Sequence, residues 1–274
     1  MLKKAEDFLA RAGLESPRVE AEWLLAGALG CKRLELYLQW ERPLEEELLA
    51  GLRGRVRRRA AGEPLQYILG YWDFHDIRLA VRPGVLIPRP ETEQLVEKVA
   101  GRLEGMESPR IVDLGTGSGA IALSLAKALP GARVLAVERS TAALSLAREN
   151  AGALGLRERV AFRSGNWLEG LAFEADCIVS NPPYLTEGEW KSARPEVREH
   201  EPREALVAAE EGLADLRHIV GTARERLAEG GLLALETGIA HGKPLLETAA
   251  AAGYRDCAVE RDDAGRERFF FARR

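Results

Sequence analysis

The chain has 274 residues, of which 46% are hydrophobic and 30% charged, and its formal net charge is −4. This composition is that of a globular protein with one or two domains, and it excludes a disordered or fibrous chain. The negative balance also disfavours a protein that holds nucleic acid by bulk charge.

Residues 1–70 are predicted to form a helical domain. Apolar residues recur with helical spacing over residues 5–12. Ser16 and Pro17 then have the form of an N-cap followed by proline in the first turn, and Gly30 is typical of the end of that helix.

A third helix is predicted after Pro43. Three acidic residues stand in its first turn (45–47) and three arginines near its end (57–59), which is the charge order that the helix dipole favours. The basic run between Arg53 and Arg59 has two interpretations: contact with a partner, or a solvated helix end.

Residues 71–90 are predicted to form a β-hairpin and linker. The stretch WDFHDIRLAV (72–81) alternates like a strand, and RPGVLIPRP (82–90) is rich in proline and glycine. This segment separates the helical domain from the remainder of the chain.

From residue 91 onward, helices and strands alternate. A helix is predicted from Glu91 to Leu103. Strands are predicted at 110–114, 132–138, 159–164, 175–180, 231–237, 254–262 and 266–273, and helices at 120–129, 141–154, around 212–228 and near 242–252. This order indicates a mostly parallel sheet covered on both faces. The turn-like DDAGR between the last two strands predicts that they pair antiparallel.

A glycine-rich loop, DLGTGSG (113–119), joins the first of these strands to a helix. Its backbone can approach a ligand closely, and a helix N-terminus favours negative charge. Glu138 ends the next strand, where a carboxylate can accept hydrogen bonds from both hydroxyls of a ribose. The pair predicts a nucleoside-containing cofactor. The loop satisfies a loose dinucleotide fingerprint, although its glycine spacing is more usual for S-adenosylmethionine (SAM).

The motif NPPY (181–184) follows the strand at 175–180, so it should meet the glycine loop and Glu138 at one sheet edge. A planar nitrogen is a poor nucleophile because its lone pair is delocalised. The side-chain oxygen of Asn181 and the carbonyl of Pro182 could accept hydrogen bonds from its two N–H groups and favour a more tetrahedral nitrogen. Pro182 and Pro183 stiffen that carbonyl, and Tyr184 offers a flat face. Since a dehydrogenase has no use for this acceptor pair, we favour SAM over NAD.

These motifs resemble those of the HemK/PrmC family of protein-(glutamine-N5) methyltransferases, over nearly the whole chain. The combination IPRPETE (87–93) ahead of DLGTGSG is the narrowest signature, whereas NPPY alone is shared with DNA adenine and rRNA guanine methyltransferases. The stretches that carry the resemblance are QYILG (66–70), VLIPRPETEQLV (85–96), VDLGTGSGAIALSLA (112–126), IVSNPPY (178–184), EPREAL (201–206) and AGRERFFFAR (264–273).

The resemblance implies an α/β fold: a seven-stranded Rossmann-like SAM methyltransferase domain (91–274) after a small helical release-factor recognition domain (1–70) and the hairpin (71–90). It implies SAM as the cofactor, S-adenosylhomocysteine as its product, and no metal. The implied substrate is the glutamine of the GGQ motif in class 1 peptide chain release factors.

The family's functional residues carry over by position. Those that would bind SAM are Asp113, Gly115, Thr116, Gly117, Ser118, Gly119, Glu138, Asn166, Trp167 and Asn181. Asn181, Pro182, Pro183 and Tyr184 would hold the glutamine amide, and of these Asn181, Pro182 and Tyr184 would be catalytic. The family most often has Asp at the positions of Glu138 and Asn166. Arg89 and Glu91 of IPRPETE either line the substrate site or end the hairpin and cap a helix.

Other functions remain open from the residues alone. One is a glutamine methyltransferase of a ribosomal protein, and another is an N6-adenine DNA methyltransferase. The latter needs a basic cleft, whereas residues 61–274 carry a net charge of −6. A SAM-binding module without catalysis is disfavoured by the intact NPPY. Three scattered cysteines suit a reducing cytosol, and no apolar run has membrane-spanning length, so we expect a cytoplasmic protein without a membrane partner. The net charge makes a nucleic-acid partner unlikely, and we expect a monomer.

Overall fold

In the computed structural model, which describes residues 1–39 and 43–274, the chain divides into two units. The helical unit consists of Met1–Tyr71 together with Arg194–His200. The sheet unit consists of Trp72–Ala193 and Glu201–Arg274. Residues 194–200, which were not predicted to belong to the helical domain, therefore fold with it.

The helical unit is built mainly from α-helices. Gly30 has a left-handed φ of 66° and ends the second helix, as its position in the sequence predicts. The helices are α1 (Leu2–Arg11), α2 (Pro17–Leu29), α3 (Glu46–Ala60) and α4 (Leu65–Leu69), with a 3₁₀ helix at Arg33–Gln39.

Part of the basic run is engaged within the helical unit itself. Arg59 is buried and pairs with Glu20 of α2 and with Glu196 (2.6 Å), which lies in a short helix of the 194–200 segment. Arg58 pairs with Glu63, and Arg53 pairs with Glu46. Ion pairing inside the unit thus occupies three of the five arginines between positions 53 and 59.

The sheet unit begins with a hairpin and continues into a seven-stranded sheet. Its order is β5-β4-β3-β6-β7-β9-β8, parallel except that β9 runs antiparallel to both of its neighbours. The seven-stranded α/β architecture is therefore confirmed. The strands are β1 (Tyr71–Phe74), β2 (Ile77–Ala80), β3 (Arg110–Leu114), β4 (Arg133–Glu138), β5 (Val160–Ser164), β6 (Ala175–Ser180), β7 (Leu227–Glu236), β8 (Arg255–Arg261) and β9 (Glu267–Arg273).

Helices cover both faces of this sheet. Alternate residues of each central strand point to opposite sides, so Ile111 packs with the helices that include Leu95 and Leu123, while Val112 packs with those that include Leu216 and Leu245. The helices of the sheet unit are α5 (Pro90–Leu103), α6 (Ala120–Ala128), α7 (Thr141–Ala153), α8 (Glu187–Ser192), α10 (Ala209–Gly212), α11 (Ala214–Ala223) and α12 (Gly242–Ala251), while α9 (Pro195–His200) belongs to the helical unit.

The structure between NPPY and α11 was not predicted from the sequence. Two short α-helices, a 3₁₀ helix at Arg203–Ala205 and the kinked α10 occupy this stretch. The predicted helix around 212–228 is shorter, because Glu210 and Glu211 are left-handed (φ 54°) before it and a 3₁₀ turn at Arg224–Arg226 follows it. Within the described residues, no helix is long and apolar enough to span a membrane.

Candidate active site

A cleft at the carboxyl edge of the sheet brings the two sequence motifs together. Strand-end residues and loops of β3 to β6 line it, together with residues 84–86 and part of the segment 201–208, which we call the strap. The predicted site residues in its lining are Gly115, Gly117, Glu138, Asn166, Trp167, Asn181 and Pro183. The convergence expected from parallel strand ends is thus present in the sheet unit.

The register of β3 and β6 sets the two motifs side by side. Leu114 at the end of β3 pairs with Ser180 at the end of β6, and the Ser180 hydroxyl donates to the Leu114 carbonyl over 2.7 Å in a buried position. The glycine loop and NPPY therefore start at the same level of the sheet.

All three glycines of the loop are in the left-handed region, with φ of 68° at Gly115, 58° at Gly117 and 89° at Gly119. A Cβ at Gly115 would come within 3.3 Å of the Trp167 ring, and one at Gly119 within 2.8 Å of Leu123. At Gly117, which lines the cleft, a Cβ would meet only the Gly115 carbonyl oxygen, at 4.0 Å. The loop is thus shaped so that a ligand can approach bare backbone.

Asp113 lies beneath this loop and is fully buried. Its Oδ2 accepts hydrogen bonds from the Thr116 hydroxyl (2.5 Å) and the Ala122 amide (3.1 Å). Its Oδ1 has no partner within the described residues. Burial raises the pKa of Asp113 to about 7, against the lowering effect of those two hydrogen bonds.

Glu138 is buried at the end of β4 and holds the loop from the opposite side. Its Oε2 accepts from the Gly117 amide (2.9 Å) and its Oε1 from the Ser140 amide (2.8 Å). Because each carboxylate oxygen has two lone pairs, Glu138 can accept two further hydrogen bonds from a ligand.

Trp167 forms the wall opposite the glycine loop. Its φ of 47° is unusual for a bulky residue. Its side chain lies beside Asp215 on α11, whose pKa is raised by burial. The neighbouring Asn166 is exposed and donates to Glu169 over 2.9 Å. Backbone strain at an aromatic side chain in a cleft is typical of a functional position.

A chain of side-chain hydrogen bonds holds the NPPY motif. Nδ2 of Asn181 donates to Oγ1 of Thr92 (3.0 Å), and the Thr92 hydroxyl donates to Oε2 of Glu236 (2.6 Å). The Tyr184 hydroxyl donates to Oε1 of the same carboxylate (2.9 Å). We call these four residues the amide-end network.

Glu236 is the buried centre of this network, at the end of β7. Burial raises its pKa, while the hydroxyls of Thr92 and Tyr184 and the positive charge of Arg268 lower it. Burial and the neighbouring Glu236 carboxylate raise the pKa of Tyr184 well above its usual range. Tyr184 is therefore a neutral hydrogen-bond donor rather than a base.

The backbone after NPPY is fastened to the strap. The amides of Tyr184 and Leu185 donate to the Leu206 carbonyl (3.2 and 2.8 Å), and the Ala208 amide donates to the Leu185 carbonyl (3.1 Å). Pro182 and Pro183 are buried. These contacts fix the direction in which the motif leaves β6.

Arg89 and Glu91 lie outside the lining of the cleft. Arg89 pairs with Glu201 over 2.6 Å, and the same carboxylate accepts from the Ile87 amide, so Arg89 anchors the start of the strap. Glu91 pairs with Arg266 over 3.0 Å. Six further predicted site residues are likewise not part of the lining: Asp113, Thr116, Ser118, Gly119, Pro182 and Tyr184.

Thr92 and Glu236 were not predicted from the sequence. A signal existed for each: Thr92 stands inside IPRPETE, and Glu236 ends a buried strand at the same sheet edge as Glu138. The strap and residues 84–86 were also not predicted to form parts of the cleft, although VLIPRPETE and EPREAL carry the family resemblance.

Comparisons with known proteins give family matches in both parts of the chain. The PrmC N-terminal domain family matches residues 1–70, and the methyltransferase small domain family matches residues 91–196. A release factor glutamine methyltransferase of Moorella thermoacetica is 46% identical over 279 aligned residues, covering 100% of this chain and 97% of the relative. A protein of the same name from Geobacter sulfurreducens is 44% identical over 262 residues, covering 95% and 91%.

Solved structures share the fold. A 16S rRNA methyltransferase of T. thermophilus, in complex with AdoMet and guanosine, superposes with a TM-score of 0.55 at 22% identity, over 74% of this chain and 49% of that one. A methyltransferase of Pyrococcus furiosus has a TM-score of 0.52 at 19% identity, over 71% and 87%. At these identities the likeness concerns the fold alone.

Proposed function

Because the chain belongs to the family of release factor glutamine methyltransferases, we propose that it transfers a methyl group from SAM to a release factor. The acceptor is the N5 amide nitrogen of the glutamine in the GGQ motif of class 1 peptide chain release factors. One observation carries the proposal most directly: Asn181 of NPPY shares a cleft with Glu138 and the glycine loop.

The residues at one end of the cleft fit SAM. Glu138 keeps two acceptor positions for ribose hydroxyls, and the bare backbone at Gly117 leaves room for a close approach. The unpartnered oxygen of Asp113 supplies a further acceptor for a cationic group or a water beneath the loop. Trp167 supplies an aromatic face for the adenine. When bound, SAM supplies a methyl group on a sulfonium sulfur and leaves as S-adenosylhomocysteine.

At the other end, Asn181 and Pro182 hold the substrate amide. The Asn181 Oδ1 and the Pro182 carbonyl each accept one of its N–H groups and favour a nitrogen whose lone pair is available. As the nitrogen gains the methyl group it becomes acidic, so one N–H proton leaves to water without a strong base. The neutral Tyr184 ring packs beside the planar amide.

The role of each part of the chain is also a proposal. We propose that residues 1–70 recognise the release factor, residues 71–90 form a hairpin linker, and residues 91–274 perform the chemistry. The match of the first 70 residues to the PrmC N-terminal domain supports the first part. The substrate acts on the ribosome, which puts the enzyme in the cytoplasm. We expect a monomer, and analytical ultracentrifugation would test that expectation.

The decisive experiment incubates the protein with methyl-labelled SAM and a class 1 release factor. We expect label in the release factor, located by peptide mass spectrometry at the GGQ glutamine. A release factor in which that glutamine is replaced by glutamate should not be labelled, because the glutamate side chain has no N–H group.

A panel with ribosomal proteins and adenine-containing DNA separates the alternatives. Label in a ribosomal protein or in DNA, together with little in the release factor, would overturn the assignment.

A further inference from the structure

The amide-end network connects NPPY to two buried residues outside the motif. Thr92 and Glu236 are 4% and 1% exposed. Thr92 bonds to Asn181 across 89 positions of the chain, and Glu236 bonds to Thr92 across 144. We infer that Thr92 and Glu236 are positioning residues that fix the Asn181 carboxamide with its oxygen toward the substrate. This inference rests on the proposed function, because it concerns how the same site presents its acceptor.

The direction of the hydrogen bonds follows from the chemistry of each group. Glu236 accepts a hydrogen bond from each of two hydroxyls, that of Thr92 on Oε2 and that of Tyr184 on Oε1. A hydroxyl has a single proton, and Thr92 has given its own to Glu236. The Thr92 oxygen therefore offers only lone pairs to Asn181, and the carboxamide group that faces it must be the Nδ2 donor.

The opposite orientation of Asn181 is unfavourable at both ends. If the carboxamide were rotated by half a turn, Oδ1 would face the lone pairs of Thr92. Nδ2 would then point toward the cleft, where the substrate amide also presents N–H groups. Within the described residues no group donates to the Asn181 Oδ1, so in the observed orientation this oxygen is available to a ligand.

The burial of Thr92 and Glu236 strengthens the preference of the Asn181 carboxamide for this orientation. Water has little access to Thr92 and Glu236 and so cannot easily replace either hydrogen bond. The Tyr184 hydroxyl uses the other oxygen of Glu236, so both ends of NPPY are set by one carboxylate. A loop that starts with two consecutive prolines after Asn181 thereby gains a fixed side-chain direction as well as a fixed backbone.

The first test is Thr92→Val, which keeps the shape of the side chain and removes the hydroxyl. We expect kcat for release factor methylation to fall roughly ten- to a hundredfold, the range for loss of a buried hydrogen-bond partner. The Kd for SAM and the KM for the release factor should each change by less than about threefold. Thr92→Ser restores the hydroxyl and should recover most of the rate.

A second variant changes the polarity of the network without changing its size. In Glu236→Gln the new amide can donate to Thr92, which frees the Thr92 proton to bond with the Asn181 Oδ1. We expect a loss of kcat similar to that of Thr92→Val, with SAM binding retained. A Glu236→Gln enzyme that binds SAM and reacts at the parental rate would contradict the inference.

A double-mutant cycle with Asn181→Ala separates positioning from general structural support. If Thr92 acts through Asn181, Thr92→Val should change kcat by less than about twofold in the Asn181→Ala background. A full ten- to hundredfold loss in that background would overturn the inference, since Thr92 would then act independently of Asn181. Cooperative thermal unfolding and retained SAM binding show that each variant is folded.

The outcomes also distinguish this inference from the proposed function. If the parental enzyme does not label the release factor glutamine, the proposed function fails. If the parental enzyme labels it and Thr92→Val does so at an equal rate, the proposed function stands and the positioning role is wrong.

Discussion

The two ends of the cleft are built in different ways. The cofactor end is formed mainly by backbone groups. Three left-handed glycines shape the loop, and the backbone amides of Gly117 and Ser140 donate to the Glu138 carboxylate. At the amide end, side chains bond to side chains, from Asn181 through Thr92 to Glu236. The first arrangement depends on local chain geometry, and the second depends on single atoms brought from distant parts of the sequence.

This difference predicts the effect of a substitution at each end of the cleft. A change at the cofactor end should weaken binding by amounts typical of a few hydrogen bonds and leave the chemical step intact. A change at the amide end should leave SAM binding intact and slow the chemical step.

The largest effect is expected for Asn181→Ala. Removing one preorganised acceptor should lower kcat by on the order of 10²–10³ while the Kd for SAM stays within a few-fold. Single-turnover methylation at saturating SAM measures the first, and calorimetry measures the second. At the opposite end, Asn166→Ala should raise the KM for SAM and not lower kcat. Methylation by Asn181→Ala at the parental rate would exclude the acceptor role.

Glu138→Ala tests the cofactor end. The loss of a charged acceptor should weaken SAM binding by roughly 1.5–3 kcal/mol, measured by isothermal titration calorimetry. At saturating SAM, kcat should be close to parental. Glu138→Asp is the matched control, since it keeps the carboxylate, and it should retain most of the affinity. An unchanged Kd in Glu138→Ala would refute the role in SAM binding.

The same contrast explains what the sequence could and could not predict. β3 and β6 were predicted to the residue, because apolar runs end abruptly at glycine in one case and at Asn-Pro in the other. The positions of Gly115 and Glu138 in the cleft follow from strand ends, which are local features. The contact between Thr92 and Glu236 joins residues 144 positions apart, and no local pattern specifies it.

The structure of the region after NPPY also depends on contacts between residues that are far apart in the sequence. A capping box of Thr186 and Glu189 starts α8, but this helix was not predicted from the sequence. The course of the strap was not visible, because it depends on Arg89 and Arg139, which reach it from 112 and 65 positions away.

Two glycines with the same backbone angle offer a test of how closely NPPY is packed. Gly212 (φ 82°) would place a Cβ only 2.2 Å from the Tyr184 carbonyl oxygen, whereas Gly265 (φ 79°) has nothing within 4 Å. Alanine at either position carries the same left-handed strain. We expect Gly212→Ala to cost about 1–3 kcal/mol more in unfolding free energy than Gly265→Ala, because of overpacking.

Urea unfolding measures this difference, and methylation assays should show a reduced kcat for Gly212→Ala alone. Equal losses of stability in the two variants would mean that α10 and the Tyr184 backbone can separate without cost.

The last expected effect concerns Asp113 and pH. Its pKa is raised to about 7 in the folded protein, so the folded state binds its proton more tightly than the unfolded chain does. The stability that comes from protonated Asp113 is fully present below its unfolded pKa and is lost as pH rises through the folded value. One such group changes the free energy of unfolding by at most about 1.4 kcal/mol per pH unit.

We therefore expect the SAM-free parental protein to lose more stability between pH 5 and pH 8 than Asp113→Asn, which has no proton to release; the pH values are chosen to lie on either side of about 7. Urea unfolding across that range measures the difference, and Glu236, whose pKa is also raised, contributes equally to both proteins. Parallel pH profiles for the two proteins would show that Asp113 is ionised beneath the glycine loop throughout. In that case the hydrogen bonds from the Thr116 hydroxyl and the Ala122 amide would offset the burial of the Asp113 carboxylate.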